Sequence, residues 1–119
     1  MGESRRILIV EDEALIAMLL GDMIEDLGHV VHGHCETLDE AVTAAQAGGF
    51  DIAILDIHLG RDDIWPVAEA LRENGTPFLL ASGGHIDAPP PAFADTPVVA
   101  KPYSLEMLGT HLEKAFANA

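Results

Sequence analysis

Four short apolar runs, each cut off by a polar residue on its C-terminal side, constrain this chain more than any other feature. Ile7-Leu8-Ile9-Val10 stops at Glu11-Asp12-Glu13 and Ile52-Ala53-Ile54-Leu55 stops at Asp56. Phe78-Leu79-Leu80-Ala81 stops at Ser82-Gly83-Gly84, and Val98-Val99-Ala100 stops at Lys101-Pro102. Strands apolar on both faces belong in a parallel sheet covered by helices on each side. His29-Val30-Val31-His32-Gly33-His34 is more polar and is expected as a fifth strand, at an edge where one side meets water. Helical periodicity fills the gaps. Ile16, Leu20, Met23 and Leu27 share one face, with Gly28 as the stop. Leu38, Val42 and Ala45 follow Thr37, which forms a capping box with Glu40, and Gly48-Gly49 ends that helix. Val67, Ala68 and Leu71 mark a third helix, with Pro66 suited to its first turn. Leu105, Leu108, Leu112 and Phe116 stripe the last, behind Ser104 as cap. Between Gly84 and Val98, Pro89-Pro90-Pro91 and Pro97 exclude a full helix. A turn around Ile86 or a short piece near Ala92-Phe93-Ala94 is all that fits. Strand–helix alternation of this kind predicts an α/β fold with right-handed crossovers.

Charge narrows the class of partner. Twenty acidic residues against six basic ones give a net charge of -14. Nucleic acid and anionic membranes need a basic footprint, so neither is an expected partner. A cation or a protein with a basic rim is favoured. Cys35 is the single cysteine, which rules out an intrachain disulfide and suits a reducing compartment. No apolar run approaches the ~20 residues of a membrane span, so a cytoplasmic domain spanning residues 1–119 is expected.

In open parallel sheets, ligands bind beyond the carboxyl ends of the strands. The strand ends here deliver Glu11, Asp12, Asp56, Ser82 and Lys101 to a single rim. Carboxylates held together repel one another unless a proton or cation intervenes. Oxygen ligands without imidazole or thiolate suit Mg²⁺, which keeps several waters and shares one or two carboxylates with phosphate oxygens. Lys101 can neutralise a phosphoryl oxygen, Ser82 can donate to another, and Asp56 can attack phosphorus in line.

Taken in order, Ile7-Leu8-Ile9-Val10-Glu11-Asp12-Glu13, Asp56, Ser82 and Lys101-Pro102-Tyr103 resemble the receiver domain of two-component response regulators over essentially the whole chain. That resemblance implies a flavodoxin-like (βα)5 doubly wound three-layer sandwich with sheet order 2-1-3-4-5 and a short or irregular fourth helix. It makes Asp56 the phosphoacceptor, Ser82 the switch hydroxyl and Lys101 the phosphate-facing lysine. Asp12, Glu11, Asp56 and the backbone carbonyl of His58 become Mg²⁺ ligands, and the Lys101–Pro102 peptide is expected cis. The implied reaction is transfer from a phosphohistidine on a sensor histidine kinase or a histidine phosphotransfer protein, then slow hydrolysis. With nothing after the last helix, the chain is expected to be a stand-alone receiver signalling to another protein, its downstream target unspecified. A phosphate sink and a pseudo-receiver that only binds protein are the alternatives. One departure stands out. The family's aromatic position three before the lysine is Val98, so the usual hydroxyl–aromatic coupling cannot operate. With Gly83-Gly84 beside it, the switch is expected to involve loop rearrangement between Ser82 and Pro97.

Other residues carry weaker signals. His32 and His34 alternate onto one strand face, with His29 nearby, and a stray transition metal is the functional reading there. Trp65 is expected over the Arg61-Asp62-Asp63 loop or on the surface. Leu15, Met18 and Leu19 give the first helix more apolar girth than one core face needs, which suits partner docking or a homodimer contact.

Overall fold

In the computed structural model, which describes residues 4–83, 90–101 and 103–117, the expected runs assemble into one parallel sheet. Its strands are β1 (Arg6–Val10), β2 (Val30–Cys35), β3 (Ile52–Asp56), β6 (Phe78–Ser82) and β7 (Val98–Ala100). Two further strands, β4 (His58–Leu59) and β5 (Asp62–Asp63), form a separate antiparallel hairpin after β3. The sheet order is β2-β1-β3-β6-β7, the flavodoxin-like 2-1-3-4-5 arrangement. Among the described residues, four α-helices cover it: α1 (Ala14–Asp26), α2 (Leu38–Ala47), α3 (Trp65–Glu73) and α4 (Leu105–Ala117).

The pleat divides the apolar runs between two cores. Leu8, Val10, Ala53, Leu55 and Leu80 face α2 and α3, with Ala41, Ala45, Val67 and Leu71 packed on them. Ile7, Ile9, Ile52, Ile54, Leu79 and Ala81 face α1 and α4, meeting Ala17, Leu20, Ile24, Leu108 and Leu112. Each large side chain so buried contributes about 1.5–3 kcal/mol. The two-sided burial is why β1, β3 and β6 show no polar alternation.

Local signals place the helix ends. The Thr37 hydroxyl accepts from the Glu40 amide at 3.2 Å while the Glu40 carboxylate accepts from the Thr37 amide, completing the capping box. The Ser104 hydroxyl accepts from the Met107 amide at the start of α4. Gly28 and Gly48, with φ of 88° and 68°, take the left-handed conformation that ends α1 and α2. The fully buried residues of α1 are Ala17, Leu20 and Ile24; of the expected stripe Ile16, Leu20, Met23 and Leu27, Leu20 is buried and Met23 and Leu27 pack half-buried on the same core. Ile16 and Met23 are half-buried and line a groove of about 390 Å³ with Leu19 and Tyr103. On α4, Leu108 and Leu112 are buried as expected, while Leu105 is exposed.

The described residues of the segment before β7 hold a single turn of 3-10 helix, Pro91–Phe93. Phe93 is its anchor. Its ring stacks on Trp65 at 5.5 Å and 15°, meets the edge of Phe78, and lies under the Arg72 guanidinium at 4.3 Å. Trp65 and Arg72 sit seven residues apart on α3, two turns along one face, so they grip the ring from both sides. Trp65 therefore packs on this segment through Phe93. Phe93→Ala should lower stability by about 3 kcal/mol, the scale for emptying a buried aromatic site. Chemical denaturation followed by Trp65 fluorescence measures it directly. The expected turn around Ile86, and the expected cis peptide at Pro102, lie outside the described residues.

Candidate functional site

Register brings the rim together. Val10 pairs with Leu55, Asp56 with Ala81, and Ser82 with Ala100. The residues at or just past these pairs are Glu11, Asp56, Ser82 and Lys101, drawn from four adjacent strands. The Lys101 amide donates to the Ser82 carbonyl at 2.9 Å, carrying the ladder one rung beyond β7.

Lys101 bridges the acids. Its ammonium donates to Glu11 Oε1 at 2.6 Å and to Asp56 Oδ2 at 2.9 Å. Glu11 is 1% exposed and Asp56 7%, so both carboxylates rely on this cation in place of water. Burial alone would lower the Lys101 pKa. The hydrogen bonds to Glu11 and Asp56 outweigh it and hold the ammonium above its ordinary value. Tyr103 is raised as well, chiefly by burial, with Glu11 and Asp56 adding to it against the opposing pull of Lys101.

Asp12 is exposed, yet one oxygen each from Glu11, Asp12 and Asp56 lie within 4.8 Å of one another. Among the described residues this is the one group of three or more acidic, histidine or cysteine side chains close enough to hold a metal ion. Backbone amides aim the carboxylates. Glu13 donates to Glu11 Oε2 at 3.2 Å, His58 donates to Asp56 Oδ1 at 3.2 Å, and Gly60 donates to Asp12 Oδ2 at 3.1 Å. Gly60 has φ of 63°, a conformation glycine adopts without steric cost, and it sits at the tip of the β4–β5 hairpin. The hairpin thus leans over the rim. Sequence reading missed Gly60, because a two-residue strand pair has no periodicity to detect.

The donor set suits a hard cation. It offers carboxylate oxygens, no thiolate and no imidazole, which is the chemistry of Mg²⁺ rather than zinc. Ser82 Oγ is buried and has no hydrogen-bond partner among the described residues, so the rim keeps a donor that a phosphoryl oxygen would satisfy.

Among the described residues, the β2 histidines join no group placed to hold a metal. A bulge between Ile7 and Leu8 shifts the register, pairing Val31 and then Gly33, so His32 lies in the irregular step and simple alternation fails. His32 accepts from the Arg6 guanidinium and packs on Phe50. His29 Nδ1 accepts from the Arg5 amide, and burial followed by the Arg5 charge lowers its pKa. His34 turns back toward β1, with Nε2 at 2.7 Å from the Glu11 carbonyl. Val98 is half-buried against the α2–α3 core, and Tyr103 packs with the α1–α4 core.

Fold and rim together define a doubly wound α/β module with an acidic, lysine-bridged site at the carboxyl ends of its strands. The chain belongs to the response regulator receiver domain family, whose model matches residues 7–90. It is similar to the solution structure of SdrG from Sphingomonas melonis Fr1, with 42% identity and a TM-score of 0.80 over 98% of this chain and 97% of that one. The BeF3-activated conformation of SdrG from Pseudomonas melonis Fr1 matches at 41% identity and a TM-score of 0.78, covering 91% of this chain and 92% of that one. A curated relative, the phyllosphere-induced regulator PhyR of Methylorubrum extorquens, is 35% identical over 105 residues, 82% of this chain and 38% of its own length. The chain spans well under half the length of the curated relatives it matches. The receiver-domain match thus coincides with a cluster of three carboxylates at the carboxyl ends of the strands. No helix among the described residues is long and apolar enough to cross a membrane.

Proposed function

We propose that this receiver accepts a phosphoryl group on Asp56 from a phosphohistidine protein in a Mg²⁺-dependent reaction, and signals through the change this makes at its surface. The observation that carries the reading is the shared position of Glu11, Asp12 and Asp56 with Lys101 bonded between two of them. Asp12, Asp56, Glu11 and the His58 carbonyl are the groups that would hold Mg²⁺. Mg²⁺ held there would neutralise charge on the phosphoryl oxygens. An Asp56 carboxylate oxygen attacks phosphorus; the new O–P bond forms as the N–P bond to the donor imidazole breaks. Lys101 follows the developing charge onto a phosphoryl oxygen, exchanging one anionic partner for another. Ser82 Oγ, without a partner among the described residues, donates to a second oxygen. Water later attacks phosphorus, the Asp56 O–P bond breaks, and inorganic phosphate leaves as the carboxylate is restored.

Acetyl phosphate with Mg²⁺, followed by intact-mass measurement, tests this. One phosphoryl group should be gained, and chelation of Mg²⁺ should prevent it. No gain at any Mg²⁺ concentration would leave the pseudo-receiver reading in its place.

The donor is a sensor histidine kinase or a histidine phosphotransfer protein, docking on α1. Leu15, Met18 and Leu19 of that helix are 64%, 59% and 51% exposed, far more apolar surface than a solvent-facing helix needs. Leu15→Ser with Met18→Ser should slow transfer from the cognate phosphohistidine protein about tenfold or more, because truncating two central contacts costs about 1–2 kcal/mol each. Labelling by acetyl phosphate should be unchanged. Equal loss in both assays would mean a damaged fold instead.

A further inference from the structure

The acid pair after β1 is also held from β2, by a side chain the phosphoryl chemistry does not use. The Glu11 amide donates to the Cys35 carbonyl at 3.0 Å, the last rung between these strands. In a continuing parallel register, the Thr37 amide would next donate to the Glu11 carbonyl. That amide is committed elsewhere. The Glu36 and Thr37 amides both donate to Glu40 Oε1, at 3.1 and 3.2 Å, as the capping box turns the chain into α2. The Glu11 carbonyl instead has His34 Nε2 at 2.7 Å. A carbonyl only accepts, so Nε2 carries the proton in this contact.

This carbonyl belongs to the peptide joining Glu11 to Asp12. Its orientation fixes the backbone torsions on either side, and through them the directions of both carboxylates. Glu11 has other anchors in Lys101 and the Glu13 amide. Asp12 is exposed and has the Gly60 amide, so its aim depends more on the backbone.

We infer that His34 is a positioning residue: its imidazole, bonded to the Glu11 carbonyl where β1 ends, sets the Glu11–Asp12 peptide so that Asp12 faces the cation beside Asp56. The inference rests on the Mg²⁺-dependent reading above. Groups that orient metal ligands from behind are worth about 10–100-fold in metal affinity.

The test compares His34→Leu, which lacks a donor, with His34→Gln, whose amide can reach the carbonyl. His32→Ala serves as the control on the same strand. Mg²⁺ affinity is measured by calorimetry and by the Asp12 amide chemical shift, with no phosphodonor present. His34→Leu should weaken Mg²⁺ binding about tenfold. His34→Gln should recover most of that loss, and His32→Ala should bind as wild type does. In acetyl phosphate labelling, His34→Leu should need about tenfold more Mg²⁺ for half-saturation, with the rate at saturating Mg²⁺ unchanged. Wild-type affinity in His34→Leu, no recovery in His34→Gln, or an equal loss in His32→Ala would each overturn the inference alone. A wild-type protein that binds no Mg²⁺ would overturn the functional reading and this inference with it.

Discussion

Asp56→Asn should take up no phosphoryl group from acetyl phosphate or from a phosphohistidine donor, a loss of about a thousandfold or more, the scale on which removing a nucleophile acts. An amide oxygen carries no formal charge and cannot form the acyl phosphate. The substitution is otherwise mild. The oxygen of the introduced side-chain amide can still accept from the His58 backbone, and Lys101 keeps Glu11 as its buried partner. It also removes one of three clustered carboxylates that a single lysine only partly neutralises. Without Mg²⁺, therefore, the variant should melt at a higher temperature than wild type, since like-charge repulsion is relieved. Higher melting temperature together with lost labelling separates a chemical role from a structural one. Residual labelling in Asp56→Asn would place the acceptor elsewhere in the cluster. A variant that melts lower than wild type would show that Asp56 serves the fold more than the chemistry.

Much of this arrangement is legible in the sequence because it rests on short-range rules. Two-sided burial leaves β1, β3 and β6 as unbroken apolar runs, and each run ends where its backbone leaves the core. The polar residue at that point is therefore also the rim residue. Thr37 and Glu40 form their capping box from local geometry alone. Features set by tertiary packing are another matter. The rotation of α1 that buries Ile24 and leaves Ile16 at a groove depends on where the sheet twist presents its face, which periodicity does not encode. The same holds for Phe93. A ring between Trp65 and Arg72 requires a proline-rich segment and a helix about twenty residues earlier to meet, and neither sequence announces the other. The β1–β2 bulge explains the histidines. One irregular residue breaks the two-residue alternation on which a shared His32–His34 face depended. His34 then becomes a hydrogen-bond partner of the acid rim instead of half of a metal pair.

Lys101→Ala should move two properties in opposite directions: it should bind Mg²⁺ more tightly and yet accept phosphoryl groups far more slowly. The ammonium occupies the same field that a metal ion would neutralise, donating to Glu11 and Asp56 at 2.6 and 2.9 Å. Removing it leaves two buried carboxylates without their cation, so a divalent ion gains attraction that the lysine previously supplied. A unit charge a few ångströms away is worth about 1–4 kcal/mol at the rim of a protein, which sets a gain of about tenfold or more in Mg²⁺ affinity. The rate should fall about a hundredfold to a thousandfold even at saturating Mg²⁺, because no other preorganised cation meets the third phosphoryl oxygen as charge develops. Stability supplies a third reading. Breaking a buried pair by deleting one partner costs about 3–5 kcal/mol, so the variant should melt well below wild type in a chelator and recover most of the difference in Mg²⁺. In the wild type, the raised pKa of Lys101 means that its contribution is complete below the ordinary lysine value of about 10.4 and fades only as pH climbs through the higher folded value. The lysine therefore behaves as a fixed charge throughout the neutral range. Weaker Mg²⁺ binding in Lys101→Ala would contradict this account, since it would make the lysine a support for the metal site rather than its electrostatic competitor.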